Sequence, residues 1–120
     1  MTVEVTVTDD FKEWWHGLTV SQQEAVASRI ALLEQHGPAL GRPTVDRVRG
    51  SAFHNMKELR CSADGSLRIL FAFDPRRQAI LLLGGNKTGE WNAWYDATIP
   101  EADRLFREYL ADIEGKGKIR

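Results

Sequence analysis

Valines at positions 3, 5 and 7 alternate with Thr2, Glu4 and Thr6, which gives the first segment one apolar and one polar face, the period of a half-buried strand. Phe11, Trp14, Trp15 and Leu18 then recur at helical spacing behind Asp9 or Asp10, either of which is placed to cap a short helix ending near Gly17. The longest helix follows. Ser21 and Glu24 form a capping-box pair, Val26, Ile30 and Leu33 make the apolar stripe, and Gly37 and Pro38 stop it. Two consecutive helices with a short join predict an antiparallel helical hairpin.

Residues 37–55 carry three glycines and two prolines and hold no period, so they read as a loop crossing back to a sheet. From Met56 the pattern becomes that of strands: MKELRC, a turn at SADGS, LRILFAFD, a turn at DPRRQ, and AILLLGG, a meander of two hairpins. In its middle strand Leu67, Ile69, Phe71 and Phe73 share one face while Arg68, Leu70 and Ala72 share the other. The run from Ile80 to Leu83 is apolar without alternation, as in a central strand covered on both sides. Thr98 and Glu101 form a second capping-box pair around Pro100, and Ala102, Phe106, Tyr109, Leu110 and Ile113 give a last helix its buried stripe. The order β-α-α-β-β-β-α predicts an α+β domain, residues 1–113, with helices packed against a twisted, mainly antiparallel sheet and a loose tail over 114–120.

Composition changes this picture little. At 120 residues, 42% hydrophobic and 28% charged, the chain suits one soluble domain with one core. The lone Cys61 can form neither an internal bridge nor a cysteine zinc cluster, and no two histidines have metal-ligand spacing, so no metal or other cofactor is expected. No basic leader and no apolar run of membrane-spanning length is seen, which points to a reducing, cytoplasmic setting without a membrane partner.

Charge matters more. The net charge is −1, yet residues 42–87 hold nine cations against four acids, a segment of +5 between acidic flanks. That is a candidate anion-binding face.

The strand motif KELR (Lys57 to Arg60), the arginine opening LRILFAFD, the turn DPRR and the run LLLGGNKTG, in this element order, resemble the RelE/ParE-type toxins of bacterial toxin–antitoxin modules, nearest the phage-derived Gp49-like and HigB branch. The resemblance implies a RelE-like fold and a metal-independent endoribonuclease cutting messenger RNA on the ribosome. It also implies a cognate antitoxin, a helix-turn-helix HigA-like protein through which the complex reaches operator DNA.

Such cleavage needs the ribose 2′-OH deprotonated, the phosphorane charge stabilised and the 5′ oxygen protonated as it leaves. Alternation puts Glu58 and Arg60 on one face of their strand, with Arg68 heading the next. By resemblance Arg68 holds the scissile phosphate, and Arg60 and Lys87 stabilise the transition state or flanking phosphates. Alternatively Arg60 pairs with Glu58 or Asp64 and solvates a sheet edge. The chain lacks the family's paired lysines on this strand and its histidine near the C-terminus. It offers Trp91, Trp94 and Tyr95 instead, as base-stacking groups with Tyr95 as acid or base, or as aromatics closing the core. Arg49, His54, Lys57, Arg76 and Arg77 complete the candidate RNA contacts, His54 reading equally as a plain loop residue. His16 and His36 suit helix C-termini. Two further readings stay open: a ParE-like protein that poisons gyrase without cutting RNA, and a degenerate member acting only in its antitoxin complex.

Overall fold

The computed structural model describes residues 2–86 and 91–118, with side chains through residue 115. In chain order the elements are β1 (Val5–Val7), α1 (Asp9–His16), α2 (Val20–His36) with a 3-10 turn at Gly37–Ala39, β2 (Val45–Arg47), β3 (Lys57–Ser62), β4 (Ser66–Phe73), β5 (Ala79–Asn86) and α3 (Trp91–Lys118). The strands form one sheet in the order β1-β5-β4-β3-β2, with β1 parallel to β5 and every other pair antiparallel. The expected α+β class and the meander are both present. β2 is an addition, an edge strand inside the segment that reads as loop, and its three residues are too few to show a period.

The helix ends differ in detail from the sequence reading. Thr8, rather than Asp9 or Asp10, caps α1 by accepting from the Phe11 N–H. The capping box of α2 is Thr19 with Gln22 rather than Ser21 with Glu24, two residues earlier. Both helices thus open on a threonine whose hydroxyl takes an orphan N–H of the first turn. The last helix does not begin at Thr98. It starts at Trp91, keeps Pro100 inside on an exposed position, and runs to Lys118, into the segment assigned to a tail. Proline removes one helical hydrogen bond, but half-buried Trp94 and Tyr95 extend the stripe of Ile99, Ala102 and Phe106 by a full turn, and this burial outweighs the local cost.

Two apolar layers cover the sheet. On one face Phe11, Leu18, Val26 and Leu33 from the helical hairpin pack on Leu59, Cys61, Leu67, Ile69, Phe71, Ala79 and Leu81. On the other, Ile99, Ala102 and Phe106 of α3 pack on Leu70, Ala72, Ile80 and Leu82, with Met56 beside them. The connection between β2 and β3 is pinned to α3 by Asp103, which is buried and accepts from the Ser51 hydroxyl at 2.5 Å and the Ala52 N–H at 2.8 Å.

One irregularity in β5 decides what lies at its end. Leu70 pairs with Leu83 but Phe71 pairs with Leu81, so Leu82 is an extra, bulged residue. The bulge turns Leu83 to the α3 side and shifts every later residue by one face. Gly84 then lies under Trp14 of α1, and Gly85 lies under Trp94 of α3. The Trp14 indole also donates to the Asn86 side chain at 2.7 Å. A Cβ on Gly84 would come within 2.2 Å of the Trp14 ring, so Gly84→Ala must displace the whole indole and break that bond. We expect urea unfolding to show a loss of about 1–3 kcal/mol, the cost of overpacking a tight site. An unchanged midpoint would show that Trp14 has free space to move.

Candidate active site

Antiparallel pairing sets Asp46 opposite Glu58 and Arg60 opposite Arg68, and directly opposed residues share a face, so all four side chains project to the α3 side. They lie at the end of that face where Trp91, Trp94 and Tyr95 of α3 pack. Glu58 is the centre. Only 4% of it is exposed, and one carboxylate oxygen accepts from the Arg60 Nε at 2.8 Å while the other accepts from the Tyr95 phenol of α3. Arg60 reaches on to Asp46 at 3.1 Å. The Arg68 Nε lies 3.9 Å from Glu58, and its guanidinium sits over the Trp91 ring, 5.0 Å from the centroid.

The electrostatics follow from these contacts. The hydrogen bond to Glu58 raises the Arg60 pKa, so this guanidinium stays charged. The Arg47 backbone N–H, with Arg60 beside it, holds Asp46 below its ordinary range. Burial first, and then the bond to Glu58, pushes the Tyr95 phenol up to about 12, so it is protonated at neutral pH. Arg68 differs from Arg60 in being incompletely used. Its Nη1 donates to the Leu67 carbonyl at 3.1 Å, but its buried Nε has no hydrogen-bond partner. Nε is sealed, but the Arg68 side chain as a whole keeps 20% of its surface exposed, so an anion from outside meets the rest of this cation.

Two clefts open beside the cluster, the smaller reaching Glu58 and Tyr95 and neither lined by Arg68. One, of about 330 Å³, is lined by Arg47, Val48, Arg49, Glu58, Asn92 and Tyr95. The other, of about 680 Å³, shares Arg47, Val48 and Arg49 and extends past Arg42, Ser51, Phe53 and His54. Together they form a trough along the β2 edge, with exposed Arg42, Arg47, Arg49 and His54 at its walls and the Glu58 cluster at one end.

Of the residues expected from sequence, the structure brings together Glu58, Arg60, Arg68, Tyr95 and Trp91, with Arg49 and His54 along the trough. The pairing of Arg60 with Glu58 is present; its second partner is Asp46, and Asp64 instead meets the Thr19 hydroxyl. Lys57 is not in the cluster, because strand alternation pairs it with Phe71 on the hairpin side. Arg76 and Arg77 are not in it either. They lie in the β4–β5 turn at the opposite end of the strands, where Arg76 bonds the Tyr109 hydroxyl and neighbours Asp74. Lys87 falls outside the described residues. Asp46, Arg47 and Asn92 were not legible as site residues; the first two belong to the short strand that shows no period. Among the described residues no three His, Cys, Asp or Glu side chains converge as a metal site.

Comparison with known proteins places this geometry. Residues 13–107 match the family described as phage-derived protein Gp49-like. The chain is 52% identical over 113 residues to the candidate toxin HigB3 of Mycobacterium tuberculosis, covering 94% of this chain and 98% of that protein. It is 54% identical over 103 residues to the candidate toxin HigB2 of the same organism, 84% of this chain but 51% of that longer protein. Among solved structures, the RelBE2 toxin–antitoxin complex of Mycobacterium tuberculosis aligns with a TM-score of 0.56 at 16% identity, covering 72% of this chain and all (100%) of that one. An archaeal RelE–RelB complex from Pyrococcus horikoshii aligns with a TM-score of 0.56 at 14% identity, over 75% of this chain and 100% of that one. These two likenesses establish a RelE-like fold.

The Tyr95 contact has a measurable consequence. The unfolded chain ionises Tyr95 near pH 10 and the folded chain only near 12, so at this residue the unfolded state loses its proton first and stability falls as pH rises through that window. Thermal unfolding of Tyr95→Phe should therefore decline less steeply than wild type from pH 10 to 12. Parallel curves would mean that the phenol is not held by Glu58.

Proposed function

This chain belongs to the phage-derived Gp49-like family, within the HigB branch of RelE-type toxins, and we propose from that membership and from its site that it is a type II toxin that cuts messenger RNA. The observation that carries the reading is the Arg68 guanidinium. It is fixed by Trp91 and the Leu67 carbonyl beside a carboxylate–phenol pair, with a buried Nε that lacks a hydrogen-bond partner. A phosphate diester accepts from the exposed part of this cation, and the neighbouring trough walled by Arg42, Arg47 and Arg49 supplies the track for the flanking strand.

In this reading Glu58 is the general base and Tyr95 the general acid. Glu58 takes the ribose 2′-OH proton, and the 2′ oxygen attacks phosphorus, forming a 2′,3′-cyclic phosphate. The bond from phosphorus to the 5′ oxygen breaks, and that oxygen leaves with the Tyr95 proton. The hydrogen bond between the two side chains then returns the proton from Glu58 to the phenol, so the pair ends in its starting state. Arg68 and Arg60 stabilise the charge on the phosphorane, with Lys87 as a further donor. The protein has a cognate antitoxin as its partner, a helix-turn-helix HigA-like protein in this proposal. Its substrate is messenger RNA on the ribosome, and operator DNA is reached through the antitoxin.

The test is induction without antitoxin, with transcript ends mapped by primer extension. Growth arrest with messages cut inside coding regions is expected. Arg68→Ala should abolish toxicity while thermal unfolding stays cooperative, and Arg60→Ala should weaken cleavage by about 10- to 1000-fold, the range for losing one charge-stabilising donor. Intact messages together with gyrase-linked DNA breaks would select the ParE-like reading instead.

A further inference from the structure

Trp94 reads from sequence as a base-stacking candidate, but its surroundings give it a different task. Gly85 lies on β5 directly opposite Arg68, buried on the α3 face, and a Cβ there would come within 2.3 Å of the Trp94 indole. The indole therefore rests on bare backbone. Its ring meets Trp91 edge-on at 5.1 Å and 81° and meets Tyr95 at 5.1 Å and 68°. Trp91 in turn covers the Arg68 guanidinium, and Tyr95 holds Glu58. One ring thus touches both aromatic groups that contact the charged residues, and its own position is set by a residue with no side chain.

The seat is itself built by the bulge. In an unbroken β5 ladder, position 85 would face the helical hairpin; the extra residue at Leu82 turns it to α3. A tryptophan lodged in this way is half-buried in the apolar layer of α3, with its ring pressed on the strand backbone at Gly85 and against its two aromatic neighbours.

We propose that Trp94, seated on Gly85, is a positioning residue that sets the Tyr95 phenol and the Trp91-stacked Arg68 for cleavage and makes no contact with RNA. The inference rests on the nuclease reading for its catalytic consequence, but the packing it describes stands apart from that reading. Two substitutions in different elements, one on a strand and one on a helix, must therefore act alike.

Two measurements test it. The first follows RNA cleavage in a reconstituted translation mixture at increasing concentrations of toxin. Trp94→Ala and Gly85→Ala should each lower the maximal rate by about 10- to 100-fold, as misplacement of reacting groups by about an ångström does, with the half-saturating concentration unchanged and Trp94→Phe recovering most of the rate. Weaker saturation at an unchanged maximal rate would make Trp94 an RNA contact and overturn the proposal. The second reads the phenol without any RNA. In a Tyr109→Phe background Tyr95 is the one tyrosine left, and its ultraviolet titration should move from about 12 toward 10 in Gly85→Ala and Trp94→Ala but hold in Trp94→Phe. An unmoved titration in folded Gly85→Ala would overturn the positioning role. If the wild type cuts no RNA while the titration still moves, the nuclease reading fails and the packing inference survives.

Discussion

A carboxylate buried to 4% exposure must be surrounded by donors, and Glu58 draws them from three elements at once. Arg60 comes from its own strand, Tyr95 from α3, and Arg68 approaches from β4. Removing one partner from such a group typically costs about 3–5 kcal/mol, because the charge that remains has no water to turn to. The same bonds that satisfy the Glu58 oxygens therefore hold the first turns of α3 over this end of the sheet, and through Asp46 they tie in the edge strand β2.

The sheet supplies this arrangement by dividing its two faces unequally. The hairpin face is apolar over its centre, with Leu59, Ile69, Phe71 and Leu81 fully buried. The α3 face changes character along β4, from Leu70 and Ala72 under the helix to Arg68 at the end, and it is there that Glu58 and Arg60 come alongside. The bulge at Leu82 fits the last piece. It turns a glycine rather than a bulky residue toward α3, and the tryptophan above it brings its two aromatic neighbours to the charged end.

Much of this was legible in the sequence, for reasons that also explain the gaps. Strand alternation is local, so it correctly set Glu58 and Arg60 on one face and Arg68 on the neighbouring strand, and helical spacing grouped Trp91, Trp94 and Tyr95. The family resemblance was sound. What could not be read depends on pairing. Val45–Arg47 becomes a strand because β3 offers an edge, and Asp46 joins the cluster through that register. The position of Gly85 depends on a bulge that no residue pattern announces. Pro100 reads as a helix start and is in fact carried inside a longer helix by the burial around it. The +5 total for residues 42–87 was correct as a sum but had no direction, since Arg76 and Arg77 sit at the far end of the strands and Lys57 on the other face.

The central claim is that the carboxylate–phenol pair moves the protons of an RNA transesterification while Arg68 holds the phosphate. Analysis of the ends left on cut messenger RNA tests it most directly. The account predicts 5′-hydroxyl and 2′,3′-cyclic phosphate ends from the wild-type protein and a loss of those ends in Glu58→Gln, whose side chain keeps its shape but cannot take the proton. Ends bearing a 5′-phosphate, or cutting by Glu58→Gln at the wild-type rate, would contradict it.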